Sequence, residues 1–583
     1  MTGNLGNLGE HGRRAGALEP RPENRRKSRK RFGTYVDFAL RTKRTGAYIK
    51  SCDVRTISLR TKGAYKRTLV VRTRQSQEET KTDISRASES ALTSISNTSP
   101  EAQARGHDTV VPTRRMSPRW RVGASVLWCA VLSLTAFCSP AVAKETLVRN
   151  VPEFDAALKA AGSGDTILLA DGEWRDADLV FRGEGTKAAP ITMTAQTPGK
   201  VVLLGTSRLR IGGTHLVVRN LLWRDSSAKD DVVSFRYDSK NLASHCTLEE
   251  CAIIGDVPDK ERKFVSIYGE QNQVLSCRFE GKQSKGTLLV VWLGENAPPN
   301  NHNIDLNFFG PRERLGKNGG EIIRVGDSKT SLQRSVTEVK RNYFYRCSGE
   351  AEIISNKSCE NVYTGNVFVG CGGALTLRHG NSCMVDHNQF FGDGQKGTGG
   401  VRVIGEGHSV ADNMFFELLG TDGRAALSLM NGVVDSPLNG YFQVKDAVVV
   451  YNLFLDCKES VLMGSSDEDQ KHQTLPPTGC TLALNKIVTR GEPAFKVRTM
   501  PIGLRGKENS HAGGPLGMDG VLGWEVDQQP ADEIRADNGP TLENLQVRPS
   551  EVGPKWMKPG DEFLPEVLKK LRAKQTTLKE EKK

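Results

Sequence analysis

The chain has 583 residues and a formal net charge of +13, from 81 Lys and Arg against 68 Asp and Glu. The excess sits in residues 1–115, which hold 25 Lys and Arg against 11 Asp and Glu, while the remaining 468 residues carry 56 against 57. The basic balance therefore describes a leading segment and argues against nucleic acid as a partner of the folded part, and the length fits either several domains or one long solenoid.

Residues 1–115 are rich in Arg, Ser and Thr, and are expected to be disordered or not translated. Met116 then opens a stretch with the three regions of a secretory signal peptide. Arg119 and Arg121 supply the positive region, Val122 to Phe137 is an uncharged run of 16 residues, and Ala141-Val142-Ala143 is a small-x-small cleavage site before Lys144. The apolar run is shorter than the roughly 20 residues that span a bilayer, so no membrane span is expected in the mature chain. Phe137 before Cys138 is too bulky for a lipoprotein site. Residues 116–143 thus predict export to the periplasm or medium, and translation is expected to start at Met116. Nine of the twelve cysteines follow Lys144, an odd number that leaves at least one free or paired between chains. No CxxC pair suggests zinc.

The mature chain begins with a predicted helix after Asn150, where Pro152 suits the first turn, Phe154, Ala157 and Leu158 share a face, and Gly162 to Gly164 stop it. Thr166 to Leu169 follows as a strand. A helix at this place would cap the open end of a stack of strands.

An Asn-x-Phe unit then recurs at Asn307, Asn342, Asn366, Asn388, Asn413 and Asn452, with intervals of 35, 24, 22, 25 and 39. Gaps of 22 to 25 match one coil of a parallel β-helix, and the longer gaps accommodate loops. Short alternating strands follow the middle copies, at Gly349 to Ile354, Gly373 to Arg378 and Gly400 to Ile404. The Phe residues are expected to stack inward and the Asn residues to form a ladder that satisfies backbone groups at the bends. Cys347, Cys371 and Cys457 each fall five residues after their Asn and predict a buried column. The fold class is therefore all-β, a right-handed parallel β-helix over residues 144–500. The repeat fades after about Thr499, leaving a C-terminal extension, 501–583, whose end from Phe563 to Lys583 predicts a solvated helix with Leu564, Val567, Leu568 and Leu571 on one face.

Period-two alternation places Glu350 and Glu352 on one face, which must be the outer one because inward positions are apolar. Lys357 lies past a turn expected at Ser355-Asn356, and Arg378 follows Lys357 by 21 residues, about one coil. Coils are spaced by roughly 4.8 Å, so the two cations can flank one sugar ring beside the acidic pair. Asn318 precedes the equivalent strand one repeat earlier and offers a neutral oxygen. Asn318, Glu350 and Glu352 are a plausible calcium set.

Three motifs, Asn318-Gly319-Gly320-Glu321, Glu350-Ala351-Glu352 through Asn356-Lys357-Ser358, and Leu377-Arg378-His379-Gly380-Asn381, resemble polysaccharide lyase family 6, which includes chondroitinase B and many alginate lyases. The resemblance covers Glu145 to about Thr499. It implies Lys357 as base, Arg378 as acid and Ca²⁺ on Asn318, Glu350 and Glu352, with His379 and Arg402 similar to substrate-binding positions. The implied reaction is β-elimination on an anionic, uronate-containing polysaccharide, with alginate the first choice and dermatan sulfate the alternative. Calcium would neutralise the uronate carboxylate and make C5–H removable. Lys357 would act in its neutral form, favoured by nearby positive charge. Arg378 rarely releases a proton, so charge stabilisation suits it better, with His379 an alternative donor. A glycoside hydrolase would need paired carboxylates such as Asp386, Asp393 or Asp412, which read better as turn formers. A non-catalytic carbohydrate-binding β-helix is the third alternative.

Overall fold

The computed structural model describes residues 54–59, 67–72, 143–466, 472–520 and 523–580. The chain divides into two units, up to Ala130 and from Val131 onward. In the first, Val54–Leu59 and Arg67–Arg72 pair antiparallel. The signal peptide expected at 116–143 lies outside the described residues except for its last position, and so does most of 1–115.

The second unit is a right-handed parallel β-helix. Each full coil contributes one strand to each of three parallel sheets, of 14, 14 and 13 strands. One such coil runs Val362–Thr364, Val367–Val369 and Ala374–His379. The helix Val151–Ala160 closes the N-terminal end; Asn150 caps it by accepting from the Glu153 N–H, and Phe154 is fully buried beneath it. Among the described residues, no helix is long and apolar enough to cross a membrane.

The tight bend between the first and second sheets sets the register. Arg341, His387, Asp412, Tyr451 and Leu484 each adopt a positive φ directly before the ladder asparagine. The bend leaves backbone donors pointing inward, where water cannot reach them, and the asparagine carbonyl of the next coil accepts them. Asn388 Oδ1 accepts from the Asn366 backbone at 3.0 Å and from Asn366 Nδ2 at 2.9 Å, and the same pairing links Asn307, Asn342, Asn366, Asn388, Asn413, Asn452, Asn485 and Asn509. Inside the ladder, the rings of Phe279, Phe309, Phe344, Phe368, Phe390, Phe415 and Phe454 stack with centroids 4.5–5.4 Å apart. Cys347, Cys371 and Cys457 are buried in the core, and all nine described cysteines are free.

Two boundaries differ from the sequence reading. The coil continues past residue 500, because Arg505–Lys507, Asn509–Ala512 and Trp524–Val526 still pair in parallel. The C-terminal helix spans Glu566–Glu580 and is docked only at its start: Leu564 just before it and Leu568 are buried in one cluster with Phe308, Tyr343 and Val369 of the second sheet, whereas Leu571 is exposed. That sheet is apolar on both faces, so the extension returns along it as a cover.

Replacing Asn388 by Ala leaves the Asn366 donors buried and unpaired, which costs about 3 kcal/mol. A lower urea midpoint with an unchanged slope is the expected result in equilibrium unfolding.

Candidate active site

The third sheet carries the functional face. Its outward positions line up across coils as Arg324, Ser355, Thr376, Arg402 and Ser428, each in register with the next. The residues between them, Ile323, Ile354, Leu375, Val401 and Leu427, fill the core. One face is thus a polar groove floor and the other is sealed.

Two β-bulges interrupt this pairing at the predicted site. Between Glu352–Lys357 and Ala374–His379 the register runs Glu352↔Ala374 and then Ile354↔Leu375, and later Asn356↔Leu377 and then Lys357↔His379. Ile353 is the extra residue in one strand, and both Ile353 and Ile354 are buried. The bulge therefore turns Glu352 outward, where simple alternation back from Ser355 would turn it in; the Ser355 hydroxyl donates to its carboxylate. Arg378 is the extra residue in the other strand. Bulges bend a strand and re-aim its side chains, which accounts for the crowding of functional groups here.

The sequence reading of this strand needs two corrections. Glu350 lies in the bend before the strand, so it and Glu352 do not share a period-two face. Ser355 and Asn356 form no turn: they continue the strand, and Lys357 is its last residue. Asn356 points inward, donates to the Ser358 and His379 carbonyls at 2.9 and 2.7 Å, and accepts from Asn361 and the Tyr363 hydroxyl. This buried network pins the backbone at both Lys357 and His379. Gly326, with φ +85°, lets the neighbouring strand turn past Lys357, whose carbonyl lies 2.6 Å from where a Cβ would stand.

Glu350 is held from below. Its Oε2 accepts the Gly319 and Gly320 N–H groups at 2.8 and 2.9 Å. Gly320 packs against Gly349 so closely that a Cβ would sit 2.4 Å from its carbonyl carbon. Arg312, 1% exposed, donates to the Glu321 and Gly319 carbonyls at 2.8 and 3.1 Å and so fixes the segment that carries these donors. Burial and the nearby Glu321 and Glu352 carboxylates push the Glu350 pKa up to about 7. Glu321, Arg312 and Asn356 were not singled out from sequence as working members of the site. Glu321, one residue beyond Gly320, was within reach of the motif; the other two become visible only in the folded packing.

Asn318 precedes Gly319 in a bend and is exposed. Among the described residues, no three His, Cys, Asp or Glu side chains gather closely enough to ligate one metal. The donor chemistry nonetheless fits a hard cation: Glu350 is driven toward protonation by burial and by the charges of Glu321 and Glu352, which a bound cation would offset.

On the other side of the groove, Arg378 Nε stands 3.8 Å from Glu352, and Nη1 donates to the Gly440 carbonyl at 2.7 Å. Its guanidinium lies 3.9 Å from the Tyr441 ring centroid, and that of Arg402 lies 5.7 Å from the same ring. Tyr441 comes from the insertion between Asn413 and Asn452, which walls this side of the groove; Gly432–Val433 there pairs with Gln473–Leu475 from the next insertion. His379 is 2% exposed, and its ring faces the Asn439 and Gly440 carbonyls of the insertion that carries Tyr441. Burial, Arg378 and Lys357 lower its pKa to about 3, so it is neutral at physiological pH. The Lys357 ammonium makes no ion pair among the described residues.

Asp386, Asp393 and Asp412 lie elsewhere. Asp386 ends a strand of the first sheet, while Asp393 and Asp412 adopt positive φ at turns.

A sequence profile described as Chondroitinase B matches residues 148–485. A mannuronic acid specific polysaccharide family 6 lyase from human gut microbiota is 30% identical, with 71% of this chain and 97% of that one covered and a TM-score of 0.64. The chain belongs to polysaccharide lyase family 6. Another similar structure is the family 6 alginate lyase AlyGC, at 35% identity and a TM-score of 0.67, covering 72% of this chain. This lyase-family chain spans 59% of the length of AlyGC. The family 6 lyase Pedsa3628 from Pseudopedobacter saltans is 28% identical over 70% of this chain and 99% of its own, with a TM-score of 0.57. No curated protein sequence matches the chain.

Because the folded state raises the Glu350 pKa from 4.5 to about 7, it favours the protonated carboxyl, and stability is lost as pH rises through 7. In chelator, Glu350→Gln is expected to raise the melting temperature at pH 8 and to change it little at pH 5, as read by calorimetry.

Proposed function

We propose that the chain is an exported lyase that cleaves a uronate polysaccharide, with alginate as the substrate, by calcium-assisted β-elimination. The observation that carries this reading is the meeting, across two bulged strands, of an amine without an ion-pair partner, a fixed guanidinium and a crowded carboxylate set. The likeness to AlyGC, described as an alginate lyase, and to a mannuronic acid specific enzyme supports alginate, in particular its mannuronate blocks.

Glu350 and Glu352, with Asn318 brought in from its exposed bend, would hold the cation. When bound, calcium would neutralise the uronate carboxylate and lower the barrier to losing the adjacent C5 proton. Lys357 takes that proton; its amine is at the end of a strand whose direction Asn356 fixes. Arg378 keeps its own proton and stabilises the charge that develops on the carboxylate. The Gly440 carbonyl, Glu352 and the Tyr441 ring hold its plane, so no reorganisation is needed during reaction. His379, neutral and set against the Asn439 and Gly440 carbonyls, can bind a sugar hydroxyl or carboxylate but has no imidazolium proton to give. Thr376 Oγ1, also buried and unpartnered on the groove row, offers another polar contact. The leaving oxygen is then protonated by water. The C4–O bond breaks as the C4–C5 double bond forms.

Polymannuronate, polyguluronate and dermatan sulfate, each with and without chelator, test the reading through the ultraviolet absorbance of the unsaturated product. Absorbance growth on polymannuronate is expected, to be lost in chelator and restored by calcium. Lys357→Ala should lower kcat by at least about a thousandfold, within the range of a general base combined with its positioning. Reducing ends without absorbance would mean hydrolysis and overturn the proposal, and product from dermatan sulfate alone would move the substrate.

For export, N-terminal sequencing of the protein secreted by its native host is expected to begin at Lys144. A start within residues 1–115 would refute it.

A further inference from the structure

The two longest intervals of the asparagine repeat, 35 residues from Asn307 to Asn342 and 39 from Asn413 to Asn452, each carry an insertion, and the two insertions meet. Residues 431–442 leave the third sheet after the strand Leu427–Met430 and form a strap. Its tip reaches Ser331, which follows the strand Ile323–Gly326, four strands back in that sheet and so about 19 Å away. Between these ends the strap passes over the intervening coils. Tyr441 and Val433 pack on Ile404 and Met430, and the Asn439 and Gly440 carbonyls lie against His379 and Arg378.

The turn that carries Ser331 is closed on itself. Asp327 Oδ1 accepts the Lys329 and Thr330 N–H groups at 2.9 and 3.0 Å and the Thr330 hydroxyl at 3.0 Å. The Cys359 N–H donates to the Gln333 carbonyl at 2.8 Å, which ties the turn to the residues that follow Lys357. Ser331 is fully buried, and its hydroxyl donates to the Leu438 carbonyl at 3.1 Å, sharing its proton with the Ser328 carbonyl at 3.2 Å. Leu438 is 107 residues away along the chain, so this bond serves no local turn. The strap's outer side is solvated, with Val434 58% and Leu438 46% exposed. A tip that buries so little apolar surface depends on its polar contacts to stay in place.

We propose that Ser331 is a positioning residue for Arg378: its hydroxyl latches the strap, and the latched strap presents the Gly440 carbonyl that aims the guanidinium. The inference rests on the lyase reading, in which Arg378 stabilises the charge on the uronate carboxylate. Arg378 is the extra residue of a bulge, so the regular ladder does not direct its side chain. Glu352 stands 3.8 Å from Nε, beyond hydrogen-bond distance, whereas Nη1 donates to the Gly440 carbonyl at 2.7 Å. That carbonyl sets the direction of the guanidinium, and a small misplacement of a charge-stabilising group is costly in rate. Ser331 itself is buried and touches no substrate; it acts through the strap.

The test uses the full chain on polymannuronate, followed by the absorbance of the unsaturated product. Ser331→Ala is expected to lower kcat about tenfold with KM unchanged, the effect of one lost hydrogen bond felt only in the transition state. In a chain already carrying Arg378→Ala, the same substitution should cost nothing further, because the residue through which it acts is gone. Hydrogen exchange read by mass spectrometry needs no turnover. The amides of residues 433–441 should exchange about tenfold faster in Ser331→Ala, while those of Ala374–His379 stay as slow as in the parent. Unchanged kcat or unchanged exchange in Ser331→Ala, or an equal loss with and without Arg378, overturns the assignment. Absence of unsaturated product from the parent chain on every uronate polymer would instead refute the lyase reading, and exchange alone would then judge the latch.

Discussion

The structure depends on one recurring demand: at each tight bend between the first two sheets, backbone donors face a dry core and must be paired. The asparagine ladder answers it by letting each coil accept from the one before, and this fixes the register of successive coils to the residue. Everything on the groove follows from that register. Ser355, Thr376 and Arg402 align because their coils cannot slip; a one-residue shift would exchange them for Ile354, Leu375 and Val401.

The site is built where regular register is locally relaxed. One bulge adds Ile353 to one strand and turns Glu352 outward; the other adds Arg378 to the next strand, beside Lys357. Because each strand gains one residue, the coils beyond resume alignment. Buried polar groups hold the irregular geometry: Asn356 under Lys357 and His379, and Arg312 under the segment that supports Glu350. The wall that carries Tyr441 stiffens Arg378 from above. Arginine on aromatic rings recurs on both sides of Lys357, which gives the groove one means of ordering guanidinium planes.

How much of this was legible depended on whether a signal repeats. The Asn-x-Phe units exposed the coil because each bend poses the same problem and receives the same answer. The ladder extends to Asn485 and Asn509, where phenylalanine no longer accompanies the asparagine and the reading stopped too early. The C-terminal helix was legible as amphipathic, but its docking partner was not, since the sheet it covers is apolar on both faces and such strands do not alternate. Glu350 and Glu352 do lie close together, but not through the period-two alternation read from the sequence, because a bulge leaves no periodic trace.

The sequence by itself determined the β-helix, its capping helix, its inward Phe and Asn columns and the motif residues of the family, because these rest on local pattern and repetition. Only the tertiary structure decided how the motif residues meet. Side chains three to nine strands apart in sequence share one groove because coils stack at a fixed spacing, and burial, which no local pattern encodes, raises the Glu350 carboxyl and leaves His379 neutral.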